Sequence, residues 1–246
     1  MNKNKKLIIV MSVVLLIAVY AVTRFFESGN NDKDKKDGLE HNDYIDDDKE
    51  SLIIALDAGH GGRDPGKVGV EGQLEKDINL EIVLRLKEEL EKDNELNAKV
   101  VLTRSDDTGY YDEDTVNKKS ADMKKRCEII EEAKADIVVS IHQNSYHSSS
   151  VKGAQVFYYE KSEKGKLLAN KIQARLVLSL SEENKGRVEK ANDNYYLIMN
   201  VKCPAIIVEC GFLSNMDEAR LLENEEYQKK ITKAIIEGIR DYLQQY

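Results

Sequence analysis

Cysteine is scarce in this chain of 246 residues, which has only three, and no two of them form a CxxC pair. The pattern therefore supports neither a zinc ribbon nor a thioredoxin-like redox motif. An odd, low count also argues against a disulfide framework in an exported domain. We expect Cys127, Cys203 and Cys210 to be small buried hydrophobic residues.

The main part of the chain also has no block of basic residues. Of the net charge of −8, residues 1–26 carry +4 and residues 27–50 carry −6, which leaves −6 for residues 51–246. An acidic domain binds nucleic acid poorly, so we expect no nucleic-acid partner. Such a domain also gains no electrostatic attraction to an anionic surface.

Composition divides the chain into three parts. Residues 1–26 contain an almost unbroken apolar run, Leu7 to Val22, preceded by lysines, and this predicts a membrane anchor. The alternative is a signal segment that is cleaved, which would leave a secreted protein. The lysines place the N-terminal side in the cytoplasm and the remainder outside. Residues 27–50 are polar and acidic and predict a disordered tether.

Residues 51–246 alternate between strand-like and helix-like patterns, and they are predicted to form one catalytic domain. The predicted strands are Ser51–Asp57, Ala98–Thr103, Asp136–Ile141, Lys152–Tyr159 and Pro204–Val208. The predicted helices are Glu75–Asp93, Lys118–Lys134, Gly165–Leu180, Met216–Leu222 and Glu225–Leu243, with Tyr195–Met199 ambiguous. This alternation predicts an α/β sheet with helices on both faces.

Four polar side chains stand where these predicted elements begin or end. His60, His142 and Glu209 lie at or just after the ends of strands, and Glu75 opens a helix. In open α/β sheets, ligands bind beyond the carboxyl ends of strands. Two histidines and one glutamate around an open coordination position form a common catalytic zinc set.

Each of these side chains also has an ordinary structural interpretation. His60 could belong to a glycine-rich turn or a phosphate loop, although no Lys-Ser/Thr follows it as in a Walker motif. Glu75 could simply complement the helix dipole. His142 could be a hydrogen-bonded residue at a strand end, with His147 as a rival ligand in a serine-rich loop.

Glu209 ends an apolar strand, so burial should raise its pKa towards neutrality and suit it to move protons. The alternative is a buried structural acid with a partner. Cys210 could be a thiol nucleophile, but it alternates to the opposite side of the strand from Glu209. We therefore expect it to lie away from the site.

Four motifs occur in order along the chain. The first is D-x-GHGG-x-D-x-G at Asp57–Gly66, and the second is the Glu75 that opens a long helix. The third is S-I-H-x-N at Ser140–Asn144, and the fourth is P-A-x-x-V-E-x-G-F-L-S-N at Pro204–Asn215. With these motifs, residues 51–246 resemble the zinc-dependent N-acetylmuramoyl-L-alanine amidases of the amidase-3 type.

The resemblance implies a mixed, roughly six-stranded sheet flanked by helices on both faces. It also implies that His60, Glu75 and His142 are the Zn²⁺ ligands, that Glu209 is the catalytic acid and base, and that Asn144 contacts substrate. The implied reaction removes the peptide stem from the muramic acid of peptidoglycan. One departure concerns Met199, which stands where many members carry an arginine.

An anchor, a tether and one catalytic domain without wall-binding repeats resemble the members that act on spore cortex. In those members the reaction precedes formation of muramic-δ-lactam, which implies a role in sporulation and germination. The alternatives are a vegetative cell-wall amidase, another zinc amide hydrolase such as a peptidase, a glycosidase that uses Glu75 and Glu209, and a non-catalytic binding module. Because the acidic domain must approach an anionic polymer on a short tether, we also expect an exported accessory protein.

Overall fold

The computed structural model describes residues 51–180 and 184–245. Its strands are β1 (Leu52–Ala58), β2 (Ala98–Leu102), β3 (Ile137–Asn144), β4 (Gln155–Tyr159), β5 (Lys190–Asn192) and β6 (Ala205–Phe212). Its helices are α1 (Glu75–Glu91), α2 (Lys118–Glu132), α3 (Glu163–Ser179), α4 (Tyr196–Asn200), α5 (Met216–Leu222) and α6 (Glu225–Leu243).

The described strands form one sheet in the order β2-β1-β3-β6-β4-β5. The pairs β2–β1, β1–β3 and β3–β6 are parallel. Strand β4 runs antiparallel to β6 and parallel to β5. The carboxyl ends of β1, β3 and β6 therefore meet at one edge. The predicted mixed, six-stranded α/β sheet is confirmed.

The two faces of the sheet have separate apolar cores, because successive side chains of a strand point to opposite faces. Ile54 and Leu56 of β1 face the larger core, which is completed by side chains from α1, α3 and α6. Ala55 faces the smaller core, which includes Ile130 of α2 and Leu197 of α4. Helices thus cover both faces, as the sequence predicts.

Most of the longer helices begin with an asparagine or serine whose side chain accepts a backbone N–H. Asn117 caps α2, Ser162 caps α3 and Asn224 caps α6 in this way. Helix α1 differs, because Leu74 at its start offers no side-chain cap. The first residue of α1, Glu75, is buried and belongs to the site described below.

Two predicted strand ends were wrong. β3 continues past Ile141 to Asn144, and β6 continues past Val208 to Phe212. The two strands stay paired through His142 and Glu209, with a register shift immediately after this pair. Both polar residues therefore lie within strands. The predicted strands were too short because each was ended at its last apolar residue.

Further differences are at the start of β4, which begins at Gln155 and not at the predicted Lys152, at the sheet edge and in the helices. β5 was not predicted, because its three residues are polar and show no apolar alternation. The ambiguous segment around Tyr195–Met199 is helical over Tyr196–Asn200. Helix α3 begins at Glu163, two residues before the predicted start, because Ser162 caps it.

The predicted anchor (residues 1–26) and tether (residues 27–50) lie outside the described residues, so the domain boundaries stay a prediction. Among the helices that the structure describes, none is long and apolar enough to cross a membrane.

Candidate metal centre and active site

A cavity of about 840 Å³ opens at the edge where β1, β3 and β6 end. The chain passes from β1 to β2 on one side and then returns from β2 to β3 on the other side of β1, so this edge contains a topological switch point. His60, Glu75, His142 and Glu209 all line the cavity. The fold therefore brings together the four side chains that the motifs single out.

His60 directly follows the β1 strand on a turn with unusual backbone geometry. Its φ of 64° lies in the left-handed region, which is costly for a residue with a side chain. The side-chain Nδ1 lies 2.8 Å from Oδ2 of Asp64. A carboxylate in this position fixes the orientation of the imidazole and turns its Nε2 towards Glu75.

Two buried arginines hold the backbone of this turn. Arg126 donates to the carbonyl oxygens of Ala58 (2.7 Å) and His60 (2.5 Å). Arg104 donates to the carbonyl oxygens of Ala58 (2.8 Å) and Gly59 (3.0 Å), and also to that of Lys76 in α1 (2.7 Å). The guanidinium of Arg104 thus joins the His60 turn to the first turn of the helix that carries Glu75.

Glu75 is held by several donors. Its Oε2 accepts the backbone N–H of Lys67 (2.7 Å), and its Oε1 accepts that of Gln143 (3.1 Å). Burial alone would raise the pKa of Glu75, but hydrogen bonds and charges from His142 and His60 outweigh burial and hold it well below its usual range. Glu75 is therefore a carboxylate at neutral pH, as a metal ligand must be.

Three candidate ligand atoms lie close together. Oε1 of Glu75 lies 3.2 Å from Nε2 of His60 and 3.0 Å from Nδ1 of His142. Each of the three side chains offers one possible ligand atom within 4.8 Å of those of the other two. Tetrahedral zinc with bonds of about 2.0–2.1 Å places its ligands roughly 3.3 Å apart. The spacing and the donor types fit a zinc ion.

Glycines leave the space that these ligands occupy. A Cβ on Gly59 would stand 2.3 Å from Nε2 of His142. A Cβ on Gly66 would stand 2.5 Å from Oε2 of Glu75 and 2.7 Å from Cδ2 of His60. A side chain at either position would displace a ligand, so two glycines of the first motif serve the geometry of the site.

Glu209 lies beside this ligand group, in register with His142 on the neighbouring strand. Its side chain is buried, and within the part of the chain that the structure describes its Oε2 has no hydrogen-bond partner. Burial raises the pKa of Glu209 to about 7, the charge of Glu75 adds to the rise, and the charges of His142 and His60 oppose it. A carboxyl group with this pKa can both accept and donate a proton near neutral pH.

The other sequence candidates lie in different surroundings. Asn144 lines the cavity, although its Oδ1 accepts the backbone N–H of Ser145 (2.8 Å). His147 packs on the ring of Tyr146 and is not among the described residues that line the cavity. Cys210 packs in the larger core, on the opposite face from Glu209, as expected. Met199 is partly exposed on α4.

The expectation of three buried cysteines was wrong for one of them. Cys127 and Cys210 are buried, but Cys203 is only half-buried, because it lies in the loop that leads into β6. All three are free thiols. Burial raises the pKa of Cys127 and of Cys203 to about 11, so neither is a thiolate at neutral pH.

The sequence interpretation missed a buried ion pair beneath the site. Asp57 accepts from Arg126 (2.7 Å), Thr103 (2.6 Å) and Ser140 (2.5 Å). A signal was present, because Arg126 lies in the apolar stripe of α2, between Met123 and Ile130. An arginine in such a stripe requires a buried partner, and Asp57 in the first motif is that partner.

Comparison with known proteins agrees with this site. The family model described as N-acetylmuramoyl-L-alanine amidase matches residues 54–241. The chain therefore belongs to this amidase family, and it is an enzyme that hydrolyses an amide of peptidoglycan. The family identified from the four motifs is confirmed.

Three relatives illustrate the range of the family. The germination-specific N-acetylmuramoyl-L-alanine amidase of Bacillus subtilis is 40% identical over 194 residues, which cover 78% of this chain and 79% of that protein. The amidase LytC of the same organism is 35% identical over 77% of this chain and 35% of its own length. The CwlD amidase of Clostridioides difficile, solved in complex with the GerS lipoprotein, is 40% identical with a TM-score of 0.75 and covers 79% of this chain and 100% of that chain.

Proposed function

We propose that this enzyme is a zinc-dependent N-acetylmuramoyl-L-alanine amidase that removes stem peptides from muramic acid in spore cortex. The observation that carries the proposal is the convergence of His60, Glu75 and His142 beside the buried carboxyl group of Glu209. The cortex role is supported by the 40% identity to a germination-specific amidase and to CwlD. In the proposed cortex role, removal of the stem peptide precedes formation of muramic-δ-lactam.

In this proposal His60, Glu75 and His142 hold the zinc ion. A bound zinc ion supplies an acidified water and a polarised substrate carbonyl. Glu209 accepts the proton of the attacking water and then donates it to the amine of the departing L-alanine. Among the described residues, the buried Oε2 of Glu209 has no hydrogen-bond partner, so its capacity to accept a hydrogen bond is unused.

Other chain groups orient the reactants. Asp64 holds the imidazole of His60, and the two buried arginines hold the backbone from which it projects. Asn144 is proposed as a substrate contact because it lines the cavity next to the catalytic groups. These groups limit the motion of the site before substrate arrives, which lowers the cost of reaching the transition state.

A digest of purified peptidoglycan tests the reaction. Residues 51–246 are expected to release intact stem peptides with a free N-terminal alanine, detected by mass spectrometry, and a chelator should abolish the release. Cleavage within the stem would indicate a peptidase, and release of sugars that survives chelation would indicate a glycosidase.

Loss of muramic-δ-lactam from the cortex of a strain without the enzyme would separate a cortex role from a vegetative one.

The metal assignment has its own test. We expect one zinc ion per domain and a severe loss of zinc in a His142→Ala variant, because one of three protein ligands is removed. Elemental analysis of both purified proteins measures this. Equal zinc contents in the two proteins would refute the ligand assignment.

We also propose that the catalytic domain acts outside the cytoplasm, held at the membrane by residues 1–26, and that an exported accessory protein docks on it. Peptidoglycan lies outside the membrane, and the CwlD amidase was solved with a lipoprotein. Protease added to protoplasts should remove the domain. A robust rate of the isolated domain on cortex peptidoglycan at saturating zinc would make the accessory protein unnecessary.

A further inference from the structure

The wall of the cavity carries four basic side chains besides the buried Arg126: Arg63, Lys67, Lys118 and Lys119. Two of them already have partners. Arg63 pairs with Glu113 at 2.6 Å, and Lys118 donates to the backbone carbonyls of Glu113 and Thr115. Within the part of the chain that the structure describes, the side chains of Lys67 and Lys119 are exposed and form no ion pair or hydrogen bond.

Lys67 differs from Lys119 in how firmly its backbone is tied to the site. Its N–H donates to Oε2 of Glu75 at 2.7 Å, and its carbonyl accepts the N–H of Glu75 at 3.0 Å. Gly66, immediately before it, packs against Glu75 and His60 so closely that no side chain fits there. The backbone of Lys67 is therefore fixed beside the metal centre, while its ammonium group is free to reach into the cavity.

The positive charge of Lys67 affects the pKa of Glu209 in the catalytic centre. Its ammonium group lowers the pKa of Glu209, although burial, which raises that pKa, has the larger effect. Because the Lys67 ammonium group is exposed and has no partner among the described residues, it is available to pair with an anion that enters the cavity. The substrate is the natural source of that anion.

The substrate of the proposed function carries an anion close to the amide that is hydrolysed. The second stem residue of peptidoglycan is a D-glutamate that is linked through its side chain, so its α-carboxyl group is free. One residue of extended chain, about 3.5 Å, separates this residue from the L-alanine whose amide is hydrolysed. The flexible four-carbon side chain of a lysine can span that separation.

We propose that Lys67 binds the free α-carboxylate of the second stem residue and makes the enzyme prefer stems in which this group is not amidated. The inference rests on the proposed function, since it names the form of substrate that the same site selects. An amidated residue offers no charge to Lys67 and leaves its ammonium group unpaired. Discrimination therefore arises from one ion pair beside the scissile bond.

Two muropeptides that differ only in this group, carboxylate in one and carboxamide in the other, test the inference. We expect the wild-type enzyme to show a kcat/KM about fivefold higher for the carboxylate form, the upper range for a partly exposed ion pair. Lys67→Met should reduce this ratio to about one, and Lys67→Arg should restore it. The preference should also weaken as ionic strength rises.

Lys119→Met is the matched control, because Lys119 is the other unpaired lysine of the cavity wall. It should keep the wild-type ratio. The ratio also cancels any general effect of the Lys67 charge on Glu209, which would change both substrates equally. An equal kcat/KM for both substrates in the wild type, or a ratio unchanged by Lys67→Met, would overturn the inference. Failure to cleave either muropeptide would instead overturn the proposed function.

Discussion

Glu209→Gln is expected to retain the fold and the zinc ion but to lose turnover by about 10²–10⁴-fold, the usual contribution of a general acid–base group. Glutamine has nearly the same shape as glutamate but cannot accept a proton from water or donate one to the leaving amine. The kcat on muropeptides, the zinc content and the melting temperature together measure the effect. A variant with near-normal kcat would move the proton-transfer role to another residue.

Glu218→Gln is the matched control for this substitution. Glu218 is also a buried glutamate with a raised pKa, because burial outweighs the hydrogen bonds from the backbone N–H groups of Phe212 and Gly153. It is not among the described residues that line the cavity. We expect this variant to lose stability and to keep its kcat, which separates the loss of a buried charge from the loss of a proton shuttle.

The convergence of the site could be predicted because the polar residues stand at the ends of apolar runs. The ends of parallel strands meet at one edge, so His60, His142 and Glu209 were expected to approach one another across long stretches of chain. Glu75 was harder to recognise, since an acid in a first helical turn is ordinary. Only its place within the series of motifs distinguishes it.

The support beneath the site could not be predicted in the same way. The ion pair between Arg126 and Asp57 joins residues 69 positions apart, and no local pattern specifies which buried acid an arginine in an apolar stripe will meet. The true ends of β3 and β6 depend on the pairing of two polar residues, His142 and Glu209. Tertiary contacts decide both features.

Arg126→Met is expected to cost about 3–5 kcal/mol in the free energy of unfolding, because it leaves the buried carboxylate of Asp57 without its cation. For a domain of this size the loss corresponds to a fall in melting temperature of about 6–20 °C. It also removes the donor to the His60 carbonyl, so we expect weaker zinc binding. Denaturant unfolding with and without zinc measures the two effects separately. Arg175→Met removes a surface arginine paired with Asp241 and Glu237 and should cost much less.

The cost of Arg126→Met should depend on pH with a definite sign. In the wild type, burial opposes ionisation of Asp57, but Arg126, Ser140 and Thr103 outweigh it and lower the pKa from 3.8 to about 2. This stabilisation is present above pH 4 and is lost as the pH falls towards 2. In the variant, only the hydroxyl groups of Ser140 and Thr103 remain to oppose the effect of burial, so the pKa of Asp57 rises. Protonation of Asp57 then stabilises the folded variant relative to its unfolded state. The difference in unfolding free energy between the two proteins should therefore be large at pH 7, begin to shrink above pH 4 as Asp57 of the variant takes up a proton, and shrink further as the pH falls towards 2. A difference that stays constant from pH 7 to pH 3 would show that the loss comes from packing and not from the unpaired charge.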